Sequence, residues 1–240
     1  AWEAARESVA ARRACAGIVA ALAGRSPHPP GIVPGGAGQS PDAAALDAVA
    51  RRLELVRGFV NERWAPLAWD LAEARPELFE IGRGPGNFVS AGALPMNDHG
   101  VHLFLASGVW LCGRLEGFRP ELVTEHPQRC WLQDDRPARA LAESATLPDP
   151  ARPCAYTFAK AARYAGECCE SGPLARAVVD NREFSPLARR RLAGMGGERA
   201  RRFREALGVM DSAMGRRLAR AEESVHLCEA MAGTWLDQLS

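Results

Sequence analysis

From Phe203 to Trp235 apolar residues return every three, four or seven positions: Phe203, Leu207, Met210, Met214, Ala221, Val225, Cys228 and Trp235. Side chains so spaced share one face of an α-helix, and a face that long must be covered along most of its length by a neighbouring helix. Two other stretches can provide that cover. Residues 1–23 carry Cys15, Ile18, Val19 and Leu22 on one stripe, which Gly24 is placed to terminate. Residues 42–74 carry Leu46, Val49, Leu53, Val56 and Val60 on one face, after an N-cap and first-turn signal at Ser40-Pro41. Pro66 should kink this second helix, and Arg75-Pro76 should end it. The segments 1–23, 42–74 and 198–239 are therefore expected to pack together, with the methionines as core filler.

The middle of the chain reads differently. "GRGPGNF" (82–88) is a turn or nest, and Phe88 to Leu115 is rich in residues that suit a pleated sheet. Residues 116–155 are punctuated by proline, and Ser185-Pro186 opens another helical stretch. The expected fold is mainly α (α+β), with long packed helices and a small antiparallel β region. One domain is expected over 1–240, helical at 1–81, β or irregular at 82–155 and helical at 156–240.

Composition excludes several functions. A chain of 240 residues can bury a substantial core, and a net charge of +1 provides no field for nucleic acid or an acidic membrane. The longest apolar run, "VHLFLASGVWLC", is far shorter than the roughly 20 residues of a membrane-spanning helix, and no signal peptide is seen. The cysteines, at 15, 112, 130, 154, 168, 169 and 228, form no C-x-x-C pair. That spacing signals neither a self-contained zinc or iron–sulfur site nor a secreted disulfide framework, and it favours a reducing compartment. A cytoplasmic location, or one on the cytoplasmic side of a membrane through partners, is expected. Adjacent Cys168 and Cys169 read as two small loop residues. The opening "AWEAARE" lacks methionine and starts in mid-helix pattern, so a longer natural chain is expected.

Chemistry-bearing residues are few. In "GRSPHPPGIVPGGAG" (24–38), His28 stands between Pro27 and Pro29, whose rings restrict the backbone strongly. It is either a loop histidine bonded to a carbonyl or an imidazole held rigidly toward a site. His99 and His102 lie three apart near a probable strand, a spacing that sends side chains to opposite faces and disfavours a metal site. "AKAARYAGECCESGPLAR" (159–176) gathers Lys160, Arg163, Glu167, Glu170 and Arg176, by default a solvated charged loop. No Ser-His-Asp order, phosphate loop or nucleotide fingerprint is found.

Five of these stretches, in the same order, resemble the large subunit of nickel–iron hydrogenases. "GRSPHPPGIVPGG" is similar to that family's G-[KR]-x-P-H-x-x-x-x-x-x-G-G segment, and "LFEIGRGPGNFVSAG" to the stretch ending in G-N-F-L-S-x-G. "FRPELVTEHPQRCWL" resembles I-T-E-x-V-x-x-S-W-Y, with Trp131 in the tryptophan position. "YTFAKAARYAGECCESGPLAR" resembles T-x-x-K-A-P-R-Y-x-G-x-x-x-E-V-G-P-L-A-R, and "CEAMAGTWLDQL" the end of the last long helix before the final active-site segments.

The resemblance implies reversible heterolytic splitting of dihydrogen at a nickel–iron centre, with electrons leaving through an iron–sulfur small subunit. The family holds its metals with two C-x-x-C motifs and places an E-A-P-R-G arginine over them; none of these is in this chain. Ala162 also stands where the family has proline, Ser171 where it has valine, and the stretch between the two glycine motifs is short. The chain alone is therefore expected to carry no catalytic residue and to bind no nickel, iron or other cofactor stoichiometrically. The resemblance implies that His28 lies near a bridging thiolate, outside the metal ligands, and that Glu125 and Lys160 belong to a polar network. Two readings stand: the central part of a hydrogenase or hydrogen-sensor large subunit, or a non-catalytic paralogue acting as a scaffold in metal-centre assembly with maturation proteins.

Overall fold

The computed structural model describes residues 2–34, 36–38, 40–96, 102–133, 138–139, 147–194 and 210–239. The chain opens with α1 (Trp2–Ala23), a hairpin of β1 (Ile32–Val33) and β2 (Gly36–Ala37), α2 (Ala43–Phe59) and α3 (Ala65–Ala74). Strands β3 (Phe88–Pro95), β4 (Leu103–Leu111), β5 (Arg114–Glu116), β6 (Val123–His126), β7 (Ala138–Arg139) and β8 (Ala161–Tyr164) follow. Helices α4 (Pro173–Asp180), α5 (Pro186–Gly194), α6 (Ala213–Ala230) and α7 (Leu236–Leu239) complete the described elements. They form two compact units, Ala1–Ile81 with Glu183–Ser240, and Gly82–Arg182.

In the first unit the three long helical segments do pack together. Ala14 of α1, Val56 of α2 and Val225 and Cys228 of α6 share one buried cluster with Val60 and Ala65. Ile18, Val49 and Leu53 form a second, backed by Met231 and Leu236. Trp69, Phe79, Met214 and Leu218 form a third with Ala188 of α5. The buried stripe of α1 is Ala11, Ala14 and Ile18, whereas Cys15 is exposed and Val19 is 40% exposed. The stripe is rotated from the expected one because alanine lets the helix lie closer to its neighbour than the larger residues would.

Pro66 leaves its mark as a π turn. Residues Val60–Trp64 widen the helix, with Ala65 N–H donating to Val60 O, and Pro66 then sits in the first turn of α3 where no N–H is required. Arg75 leaves the helical region and a 3₁₀ turn, Pro76–Phe79, follows. The start of α2 is a correction: Asp42 is the N-cap, its carboxylate accepting from Ala45 N–H at 2.8 Å, two residues later than the Ser40 cap that Ser40-Pro41 suggested.

The last helix is also shorter at its start than the 198–239 expected. Residues 195–209, including Phe203 and Leu207, lie outside the described residues, and Met210 precedes the helix. Ser212 caps α6, its hydroxyl accepting from Gly215 N–H at 3.0 Å. A β-carbon on Gly215 would run into the Met210 backbone carbonyl, so this cap admits only glycine. Gly215→Ala is expected to cost about 1–3 kcal/mol, visible as a lowered melting temperature; an unchanged one would show that the turn before α6 yields freely.

In the second unit β3, β4 and β5 form an antiparallel sheet in which Phe88 pairs with Trp110 and Val109 with Glu116, as expected for 87–115. Helix α4 lies on β3 and β4, burying Leu174, Ala175 and Val179. Gly108 makes this close approach possible, because a β-carbon there would come within 2.9 Å of Val179 Cγ1. A second sheet, in the order β7-β6-β8, corrects the expectation of helix from residue 156 onward. Residues 161–164 become strand because β6 offers them a backbone partner, which overrides the helical preference of "AKAAR".

Candidate functional site

The loop after α1 is closed by its own backbone. Gly31 N–H returns to Ala23 O at 3.3 Å, and Gly38 N–H donates to Gly31 O at 2.6 Å. Ser26-Pro27 is cis, and His28 takes φ 60°, a left-handed conformation rare outside glycine. Arg25 Nε donates to the His28 carbonyl at 2.9 Å. The loop thus grips the backbone of His28 and leaves its imidazole exposed. A residue held in a strained conformation with its functional group outward is the pattern of a positioned site residue. Arg25 was missed in the sequence, although it occupies the [KR] position of the motif that singled out His28.

Glu125 and Lys160 are brought together by strand register. Glu125 of β6 pairs with Ala162 of β8, so Lys160, two residues before Ala162, falls on the same sheet face. Lys160 Nζ lies 3.1 Å from Glu125 Oε2, with the lysine side chain 11% exposed and the glutamate 33%. Lys160 therefore does not belong to a solvated loop. On the flanking positions Thr124 Oγ1 and His126 Nε2 are 3.1 Å apart. Ala162 fits here because an alanine, unlike the family's proline, keeps a backbone N–H available to the ladder. Breaking the pair should leave a poorly solvated ammonium. Glu125→Gln is expected to cost about 1–3 kcal/mol, between surface and buried ion pairs, read by thermal unfolding; no change would mean that water reaches Lys160 freely.

Trp131 and Phe158 sit against each other with ring centroids 4.9 Å apart, and Trp131 N–H donates to Thr157 O at 2.9 Å. Tyr164 is buried, its hydroxyl accepting from Arg119 N–H at 3.1 Å. The motif around Trp131 contributes the central strand β6 and the Lys160-Tyr164 motif contributes the edge strand β8 of one small sheet. His28 lies in the first unit and Glu125 with Lys160 in the second.

His99 lies outside the described residues; His102 immediately precedes β4, its carbonyl accepting from Met96 N–H at 2.7 Å. Cys228 is packed in the helical core, where burial pushes its thiol up to about 11 and makes it an inert packing group. Among the described residues no three of His, Cys, Asp and Glu are grouped so that they could hold a metal ion. Among them, too, no helix is long and apolar enough to cross a membrane.

These motifs, on this fold, define a hydrogenase large-subunit framework, and the chain belongs to the nickel-dependent hydrogenase family, whose model matches residues 6–240. It is 36% identical over 229 residues to the periplasmic [NiFeSe] hydrogenase large subunit of Desulfomicrobium baculatum, covering 95% of this chain and 44% of that one. The chain thus spans less than half the length of this curated relative. Its fold matches the structure of anaerobically purified Dm. baculatum [NiFeSe]-hydrogenase with a TM-score of 0.89 and 33% identity, over 100% of this chain and 49% of that chain. The as-isolated oxidised Ni-Fe-Se hydrogenase of D. vulgaris Hildenborough gives a TM-score of 0.89 at 32% identity, over 99% and 50%.

Proposed function

We propose that this chain is the central part of a nickel–iron hydrogenase large subunit and supports reversible heterolytic cleavage of dihydrogen, in oxidation or in sensing. The observation that carries the reading is the family's five motifs in order, on a fold that matches about half of a hydrogenase chain at a TM-score of 0.89. The family's two C-x-x-C motifs are absent from this sequence, so in this reading the chain supplies orientation and charge pairing around a centre ligated from elsewhere. When bound, that centre would provide the Lewis acid and the hydride acceptor.

In this reading His28 would donate a hydrogen bond to a cysteine thiolate that helps hold the centre. Donors of this kind tune the charge on sulfur, and they act only if held firmly. The backbone grip of Arg25 and the glycine contacts supply that firmness. Glu125 and Lys160 form a paired, half-buried polar link of the kind that lines a water-linked network. Partners are an iron–sulfur small subunit that takes the electrons, and maturation proteins that load the metals. We place the protein in the cytoplasm or on the cytoplasmic side of a membrane, from its unpaired odd cysteines.

The test is the full natural protein, purified without oxygen and assayed for nickel, iron and hydrogen-dependent dye reduction. Stoichiometric metal and turnover support the enzyme. Absence of both, together with capture of maturation proteins, would replace it with the scaffold reading.

A further inference from the structure

Helix α1 carries a second stripe, on the side opposite its packed one. The packed side is Ala11, Ala14 and Ile18. On the other side Trp2, Ala5, Val9, Arg12, Ala16 and Val19 follow one another at alternating spacings of three and four, and all are exposed, Trp2 by 86% and Val9 by 56%. This is the pattern of a helix that packs lengthwise against another helix. At 1.5 Å per residue the row is about 26 Å long. Apolar side chains scattered singly over a surface are ordinary, but a continuous row of them marks a contact. A helix that is apolar on two opposite sides belongs in the interior of a fold.

Two features define what fits there. Beside Val9, Arg12 and Arg13 the small Ala16 leaves a depression of about 270 Å³, a hole for a large apolar side chain from a facing helix. Arg6, Arg12 and Arg13 interrupt or border the row; all three are exposed, and among the described residues no carboxylate pairs with them.

We propose that this outer face of α1 seats a helix from the part of the large-subunit polypeptide outside residues 1–240, a helix with apolar knobs and with carboxylates set against Arg12 and Arg13. A second copy of the chain fits poorly. Two α1 helices laid parallel put Arg12 against Arg12, and laid antiparallel about the middle of the row they bring the same two side chains within roughly 5 Å along the axis. Like charges so placed repel. The length of the matched hydrogenases favours the same polypeptide. All of this chain covers only 49% of the Dm. baculatum chain at a TM-score of 0.89, so a chain of that kind brings as much polypeptide again. A tethered segment reaches the face at a far higher effective concentration than a separate protein.

The experiment uses the full natural protein with the photoreactive residue p-benzoylphenylalanine installed at position 9, irradiated and digested for mass spectrometry. The expected product keeps the mass of one large subunit and joins position 9 to a residue outside 1–240 of the same chain. A link to a second copy, to a different protein or to a site within 1–240 would overturn the proposal, and so would a position 9 left unlinked. Arg12→Glu should also lower the melting temperature, and Arg12→Lys should restore most of the loss; an Arg12→Glu protein as stable as the wild type would overturn the pairing with carboxylates. The link is mapped without any change at Arg12, so a poorly folding variant does not blur the result. The proposal rests on the large-subunit reading but not on catalysis: the expected link in a protein without turnover would leave it standing while the enzyme reading fell, and turnover without the link would do the reverse.

Discussion

Glu222→Ala is expected to lower the melting temperature of the full natural protein by several degrees, from a loss of roughly 4 kcal/mol. Glu222 lies on α6 with only 7% of its surface exposed. Its Oε1 accepts from Trp69 Nε1 at 2.8 Å and from Ser185 Oγ at 3.2 Å, and its Oε2 accepts from Ser185 N–H at 2.6 Å. One carboxyl group therefore satisfies three buried donors from α3 and from the start of α5. Removing it leaves donors that water does not reach, each costing about 1–3 kcal/mol, far more than the net value of a hydrogen bond made. Ser185 also caps α5 through Ala188 N–H at 3.3 Å, so the loss propagates into that helix. Glu222→Gln keeps one acceptor but turns an NH₂ group toward an existing donor, and should fall between the wild type and alanine. If the alanine variant melted within 2 °C of the wild type, the carboxyl would be a passenger in the core.

His28→Ala, in the complete protein, should leave the melting temperature nearly unchanged and reduce hydrogen turnover about 10- to 100-fold, since a donor to a charged sulfur is worth roughly 1.5–3 kcal/mol. The loop keeps its shape because Gly31, Gly38 and the prolines close it without the imidazole. His28→Gly sharpens the test. Glycine accepts φ 60° at little cost, so this variant should be at least as stable as the wild type while equally impaired. The redox signature of the metal centre should shift in both variants, a change that a purely structural histidine would not cause. Normal turnover with reduced stability would show that His28 serves the loop and not the centre.

The helical half was legible because period and burial coincide there. Val49, Leu53 and Val56 recur on one face of α2, Val60 continues that face into the π turn, and all four are buried. Glu222 was legible in principle too: it stands four residues after Leu218 and three before Val225, which puts a carboxyl on the apolar face of α6. Its donors were not legible, because Trp69 and Ser185 lie 153 and 37 residues away in the chain. The same distance in sequence hid the pairing of Lys160 with Glu125 as a matter of geometry, and turned residues 161–164 from expected helix into strand.

What the sequence by itself determined is the set of faces and breaks: three amphipathic helices that need one another, a proline- and glycine-bound loop around His28, and the order of motifs that marks the family. Local sterics and a periodic apolar face act within a few residues, so they are written in the chain directly. Tertiary structure alone decided the rest: which alanines of α1 face the core, that Arg25 grips the His28 backbone, and that Asn87 bonds the backbone N–H of Cys112 and the backbone carbonyl of Cys168. Each of these depends on strand register, on helix approach or on a loop's closed path. Those are set by the cooperative packing of segments far apart in sequence, whose individual energies are too small and too numerous to be read from any one stretch.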